Sequence, residues 1–395
     1  MKNLETLIQK LCPDGVEFVK LEEVCKISRG KVYSKKYLAE HIGEYPVYSS
    51  QTANDGILGK IGTYDCDGKF LTWTTDGAYA GTVFYRQGKF SVTNVCGLIS
   101  CSNPILSLKF LYYWLTIEAP KHVHQGMGNP KLMSNQMAKI EIPLPPIEVQ
   151  TEIVRILDKF TSLEAELEAE LDCRKRQYEY YRDKLLSFDN VGGQEVEWKK
   201  MSEVFDMKNG YTPSKAKAEY WEGGTIPWFR MEDIRENGRI LSDSIQHITM
   251  VGVKKGKLFP ANSFILATTA TIGEHALVIS DSLANQQFTN LTVRKSLSDR
   301  LLIKFVFHYM FIVDEWCKKN INVSGFASVD MNKFKKLEFP IPSLEEQHRI
   351  VSILDRFESL TTSLQSGLPA EISARRQQYE YYRDKLLTFK RKGAA

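Results

Sequence analysis

Two histidines one residue apart, His122 and His124, are the first place where side chains in this sequence invite chemistry. On a helix or strand that spacing can aim both rings one way, but a zinc site needs a third ligand and none is evident. The glycine-rich stretches Gly56-Ile57-Leu58-Gly59-Lys60-Ile61-Gly62 and Gly126-Met127-Gly128 match neither a dinucleotide-binding loop nor a P-loop, and read as turns. Methyl transfer to adenine would call for an Asn/Asp-Pro-Pro-aromatic loop, which the sequence lacks. A metal nuclease would need a PD…ExK array. Pro13-Asp14 stands too close to Glu17 for that, and Glu197-Trp198-Lys199 has no PD partner, so both read as strand-edge residues. No Ser/His/Asp set stands out. The expectation is a chain with no catalytic residue and no metal ligand.

The composition fits a chain that folds and binds. At 395 residues it exceeds one ordinary domain, and 43% apolar with 25% charged residues suits a sizeable core. No run of 18 apolar residues offers a membrane span, and Met1-Lys2-Asn3-Leu4-Glu5 does not open a secretory signal. Seven cysteines (12, 25, 66, 96, 101, 173 and 317) are scattered without a CxxC pair. That argues against disulfides and zinc knuckles and favours a reducing cytoplasm. The net charge of +4 is mild; it permits nucleic-acid binding without demanding it.

What must position any binding residues is written twice. The decapeptide Gln177–Leu186 returns unchanged as Gln378–Leu387. Upstream, Ile153–Phe160 matches Ile350–Phe357, and near the start Val16-Glu17-Phe18 matches Val196-Glu197-Trp198, so that Gly30 maps onto Gly210. Each copy of about 200 residues reads as a globular head followed by a long helix. The helical segments match best and the heads poorly, which suggests a shared frame presenting two different surfaces.

The first helical segment follows Pro143-Leu144-Pro145-Pro146 and runs without Pro or Gly from about Glu148 to Phe188. Apolar residues recur every three or four positions, the pattern of a coiled-coil helix that needs a partner along its length. The second segment follows Pro340-Ile341-Pro342, with Ser343 as N-cap and Glu346 as its capping-box partner. It should stop and restart at Gly367-Leu368-Pro369, and the basic tail Lys390-Arg391-Lys392 should fray. Antiparallel pairing of the two segments would set Leu157, Leu163, Leu167 and Leu171 against Leu354, Leu360, Leu364 and Ile372. Within the decapeptide, Tyr178, Tyr181 and Leu185 share a helix face while Tyr180 and Arg182 point elsewhere. Identity over ten residues exceeds what packing requires. It marks two docking sites for one repeated partner, built on Tyr178, Tyr180, Tyr181 and Arg182 and again on Tyr379, Tyr381, Tyr382 and Arg383.

The heads read as mixed α/β. Short β-rich runs at 45–48, 70–73, 81–85 and 95–99 precede a helix at 105–117; runs at 263–268 and 276–279 precede one at 301–317. The expected fold class is α+β, with two mixed α/β domains separated by two long helices pairing as an antiparallel coiled coil. The expected boundaries are 1–145, 146–190, 191–341 and 342–395.

The chain resembles the DNA-specificity subunit of a type I restriction–modification system. The resemblance rests on the twofold head-and-helix arrangement, on Ile142–Pro146 with Gln150–Phe160, on the decapeptide, and on their second copies. In the heads it rests on Gly43–Tyr48 and Asp76–Gly81, and on Gly210–Ser214, Ile226–Trp228, Thr271–Gly273 and Asn285–Phe288. It implies a cytoplasmic, non-catalytic subunit whose two target-recognition domains read the halves of a split, asymmetric site in double-stranded DNA. The helices would set the spacer and carry two methyltransferase subunits. Cofactors would sit in the partners: S-adenosylmethionine for adenine methylation, ATP and Mg in restriction subunits. Candidate DNA contacts follow the two equivalent glycines: Arg29, Lys31, Tyr33, Lys35 and Lys36 in the first head, and Tyr211, Thr212, Ser214, Lys215 and Lys217, with Arg230 and Arg235, in the second. The rival is a two-headed scaffold that binds proteins without reading DNA.

Overall fold

The computed structural model describes residues 2–126, 128–188, 196–322, 326–362 and 367–393. The chain divides into two compact units, residues 1–168 with 371–395, and residues 169–370. Each unit therefore joins one head block to half of each helical segment.

The first unit holds a six-stranded sheet in the order Lys26–Arg29, Cys96–Ser100, Cys66–Thr74, Val83–Val92, Ile42–Tyr48, Ile57–Ile61. Its long central hairpin pairs Trp73 with Val83 and Cys66 with Phe90. Trp73 is fully buried, and Gly97 lies so close over its ring that a Cβ there would clash. The helix Leu108–Glu118, capped by Ser107, lays Phe110, Leu111 and Leu115 on this sheet. A small antiparallel pair, Phe18–Lys20 with Glu141–Pro143, closes the head where its chain enters and leaves.

The second unit repeats the plan with different details. A five-stranded sheet runs Phe205–Asn209, Phe288–Val293, Ser263–Ala267, His275–Val278, Ile240–Leu241, beside a three-stranded one around Ile226–Phe229. The helix Ile303–Lys319 covers it with Phe305, Val306 and Met310, and Glu197–Lys200 pairs with Glu338–Ile341 to close the head.

The helical segments form as their spacing predicts. One continuous helix spans Ile147–Leu186; the other segment is Leu344–Thr362 followed by Leu368–Leu386. Ser343 accepts from the Glu346 amide, and Gly367 takes φ +82 at the restart. In the first unit the central helix packs on the C-terminal one, Phe160 against Tyr382 and Tyr379, and Glu164 and Glu168 against Arg376. Numbers rise on one helix as they fall on the other, so the pairing is antiparallel. In the second unit Tyr181 stacks on Phe357, 5.6 Å between centroids, as Tyr382 stacks on Phe160 at 5.5 Å.

The expected fraying of the basic tail is corrected. The Val16 amide donates to the Lys390 carbonyl at 2.8 Å, that of Lys392 donates to the Val16 carbonyl, and Arg391 pairs with Glu141 while covering the Phe18 ring. Backbone pairing plus a charge partner holds a segment that composition alone marks as loose.

Each helical segment is bolted to its head by the same polar devices. Buried Gln150 donates to the carbonyls of Ile105 and Pro145 and accepts from the Ser107 amide at 2.8 Å. Gln347 repeats this with Arg300, Pro342 and Leu302. About two turns further on, Asp158 accepts from Tyr113 at 2.6 Å and Lys109 at 2.9 Å, while Asp355 faces His308 at 2.8 Å and Lys304 at 3.4 Å.

Candidate nucleic-acid interface

In the first head, four loops meet at one end of the sheet. Gly30 lies against the Val92 backbone with no room for a Cβ, and the Lys31 amide donates to the Val92 carbonyl. A turn follows at Thr93–Cys96, closed from the Cys96 amide to the Thr93 carbonyl at 3.0 Å. Thr75 begins the loop that runs to Gly81; its hydroxyl donates to the Val95 carbonyl, and its carbonyl accepts from the Leu132 amide. The Trp73 indole fixes the same Leu132 by donating to its carbonyl at 3.0 Å.

The second head builds the same end from other residues. Gly210 lies against the backbone of Ala284 and Asn285, and the Tyr211 amide donates to the Ala284 carbonyl. The turn Asn285–Phe288 closes at 3.2 Å. The Thr268 amide donates to the Gln287 carbonyl, and its own carbonyl accepts from the Val329 amide. By their places in these turns and links, Gly30, Asn94, Val95, Thr75 and Leu132 correspond to Gly210, Gln286, Gln287, Thr268 and Val329, although Thr75 reaches its turn through the hydroxyl and Thr268 through the amide. The stretches between these bonds differ between the heads, which is what two different readers on one frame require.

The candidate contacts fall around these loops in different states. Lys31 and Tyr33 both donate to Asp65, each at 2.6 Å, with the Lys31 side chain still exposed; that carboxylate pushes the Lys31 ammonium up from its ordinary value. Arg29 donates to Ser134 at 3.0 Å. Lys35 and Lys36 stand exposed on the short helix Lys35–Glu40, Lys36 within 3.8 Å of Glu40. In the second head the Tyr211 hydroxyl accepts from the Lys254 amide at 2.5 Å, and the Ser214 carbonyl accepts from the Trp221 indole. The Thr212 hydroxyl donates to Gln286 at 2.5 Å. Lys215 and Arg235 are exposed, and Lys217 is exposed beside Tyr220 and Glu219. Arg230 pairs with Glu232 at 2.8 Å, its Nε buried without a partner. The sequence reading singled out neither Asn94 nor the Thr75 loop's role; their signal lies in backbone bonds between distant segments, which no periodicity carries.

The decapeptides divide into packing and surface. Tyr178 and Tyr379 are half-buried, and Arg182 and Arg383 cover their rings at 5.8 and 5.6 Å. Arg182, expected to point away, is corrected: its side chain is 11% exposed and lies over Phe311, where cation–π contact and its apolar stem favour the interior. Tyr180 and Tyr381 remain outside, 60% and 62% exposed.

The leucine seam is distributed between two cores. Leu157 is buried with Leu386 and Leu387 in the first unit, and Leu354 with Leu186 in the second, so these two leucines are equivalents and not partners. Leu163, Leu167 and Leu171 are half-buried, Ile372 is buried, Leu360 is 47% exposed, and Leu364 lies outside the described residues.

His122 pairs with Glu118 at 3.1 Å, and both it and His124 are exposed. Among the described residues, His308, Asp355 and Glu358 form a group whose geometry could hold a metal. Lys304 already faces both carboxylates there, as Lys109 faces Asp158 in the first unit, so the group acts as a lock between helices. Among the described residues no helix is long and apolar enough to cross a membrane.

The family model for the type I restriction modification DNA specificity domain matches residues 13–172 and 194–374. A putative type I specificity subunit of Mycoplasma pneumoniae is 32% identical over 93% of this chain and 96% of its own. A type I restriction enzyme specificity subunit of Escherichia coli is 40% identical over 73% of each chain. Another from that organism, of the EcoprrI enzyme, is 54% identical over 53% of each. Among solved structures, the S subunit of a type I system from M. genitalium aligns over 94% of this chain and 96% of its own, with TM-score 0.53 and 15% identity. A chain from a study of type I R-M complex assembly aligns over 95% and 98%, with TM-score 0.61 and 17% identity. Those two likenesses show the fold; the family match disfavours a scaffold that does not read DNA. The chain belongs to the type I restriction–modification DNA specificity family.

Proposed function

We propose that the two heads dock duplex DNA on their loop ends, each reading one half of a split, asymmetric target. Target recognition by two domains is the family's function; the equivalent hydrogen-bond frame under two divergent loop ends is the observation that supports these faces as the readers. In the same reading the helical segments set the spacer. Their exposed Tyr180 and Tyr381, in identical decapeptides, dock two methyltransferase subunits. Those partners supply S-adenosylmethionine-dependent adenine methylation, and ATP- and Mg-dependent restriction subunits join through them; the complex works in the cytoplasm.

The lysines beside the first frame supply phosphate contacts, which strengthen binding without specifying sequence. Replacing Lys31, Lys35 and Lys36 with Ala together should weaken duplex binding about tenfold or more at moderate salt and flatten its salt dependence. Because Lys31 faces Asp65, most of that loss should come from Lys35 and Lys36. Affinity and salt slope both unchanged would remove these residues from the interface. Mapping methylated adenines in DNA modified by the assembled complex identifies the target.

A further inference from the structure

We infer that Asn94 and Gln286 are the base-reading residues of the two heads, each pairing its carboxamide with an adenine edge in its own half-site. This rests on the proposed docking of DNA at the loop ends and names what is read there. Both are exposed carboxamides at the second position of the turn that closes the frame: Thr93–Cys96 in one head, Asn285–Phe288 in the other. Each turn is tied on one side to the glycine loop, through Val92 to Lys31 or Ala284 to Tyr211. On the other side it is tied to the threonine loop, through Val95 to Thr75 or Gln287 to Thr268. The Asn94 amide adds a bond to the Lys31 carbonyl at 2.8 Å. The side chains thus stand on backbone held from both sides, as a reader must so that its entropy is spent before binding.

A carboxamide offers an acceptor and a donor side by side. Adenine alone presents the complement in the major groove, N6 as donor and N7 as acceptor. Gln286 is further fixed by the Thr212 hydroxyl, which occupies one lone pair of its Oε1 at 2.5 Å. The second lone pair and the NH2 stay available for N6 and N7. Thr212 is thereby a positioning residue. The shorter Asn94 stands beside the exposed Lys31 and Val32, and has the reach of one fewer methylene.

The test uses the full chain assembled with its modification partner and duplexes carrying 7-deazaadenine at each adenine of the mapped target in turn. The analogue keeps N6 and lacks N7. One position in each half-site should lower wild-type affinity about two- to tenfold, the loss of the N7 bond alone, since N6 still meets the carboxamide oxygen. Gln286→Ala, which gives up the N6 bond as well, should bind the ordinary duplex at least as weakly as wild type binds the analogue in its half, and lose nothing further on the analogue. It should still pay the full penalty for the analogue in the other half, which shows that it is folded. Asn94→Ala should show the mirror pattern. Indifference to the analogue at every adenine, with sequence-specific binding intact, overturns this assignment alone, as does a variant that still pays the penalty in its own half. Wild-type indifference to duplex sequence would overturn the functional reading beneath it as well.

Discussion

Gln150 and Gln347 show how much one buried side chain can organise. Each satisfies three backbone groups where a head meets its helix, so loss of the amide strands two carbonyls and an N–H out of water. Gln150→Leu should cost about 3 kcal/mol, and Gln347→Leu a similar amount. An unchanged urea midpoint in either variant would mean that water replaces those bonds. The neighbouring locks differ in one instructive way: Tyr113 in the first unit is His308 in the second. Burial pushes the His308 imidazole down to about 4, although Asp355 pulls the other way. An unfolded histidine titrates near ~6.5, so between those values the unfolded chain takes up a proton that the folded chain refuses. The stability tied to neutral His308 is complete above about pH 6.5 and falls by up to about 3 kcal/mol as pH drops toward 4. His308→Gln keeps a donor for Asp355 and does not titrate. It should lose less stability than wild type between pH 7 and pH 4.5; equal losses would clear His308 of this role.

Tyr382 on Phe160 and Tyr181 on Phe357 are the same contact made twice at the level of helices, each joining the decapeptide of one repeat to the helix start of the other. A stacked pair contributes about 1 kcal/mol beyond its buried area, so a double-mutant cycle with Phe160→Ala and Tyr382→Ala should return a coupling of that size. A coupling near zero would leave the stacking incidental. The helices themselves were legible in the sequence: a prolyl entry, forty residues without Pro or Gly, a Ser343 cap and a Gly367 restart all act locally. The strand runs at 70–73 and 263–268 were legible for the same reason. The fate of Leu157 was not. Spacing says which face is apolar, whereas its companions Leu386 and Leu387 are fixed by reciprocal packing of two distant copies. The pairing of Lys31 and Tyr33 with Asp65 was hidden likewise, because Asp65 arrives from another strand connection. A basic loop reads as a phosphate contact until its acidic neighbour is in view.

At the scale of the whole chain, the repeat Glu164-Ala165-Glu166-Leu167, Glu168-Ala169-Glu170-Leu171 lies within the helix Ile147–Leu186, where it passes from one unit to the other. Surface glutamates of high helix propensity are its plainest reading, and Glu164 and Glu168 do hold Arg376. Yet Leu163, Leu167 and Leu171 belong to neither unit's core, so this stretch can change length without emptying one. The second segment carries four more residues between Leu360 and Arg375 than the first does at the matching place, and its helix breaks there, ending at Thr362 and restarting at Leu368. Length in this region already differs between the copies. One further Glu-Ala-Glu-Leu after Leu171 would lengthen the helix by ~6 Å and turn its far end by about 40° beyond a full turn. A base pair rises ~3.4 Å and twists ~35°. The rotation matches one base pair and the rise lies between one and two, while the leucine spacing is kept, since four residues are nearly one turn. The insertion should therefore leave both half-sites unchanged and widen the spacer between them by one base pair, or two where rise outweighs twist. Mapping the adenines methylated by the insertion variant reads this directly, and an unchanged spacer at full activity would show that the spacer is measured elsewhere.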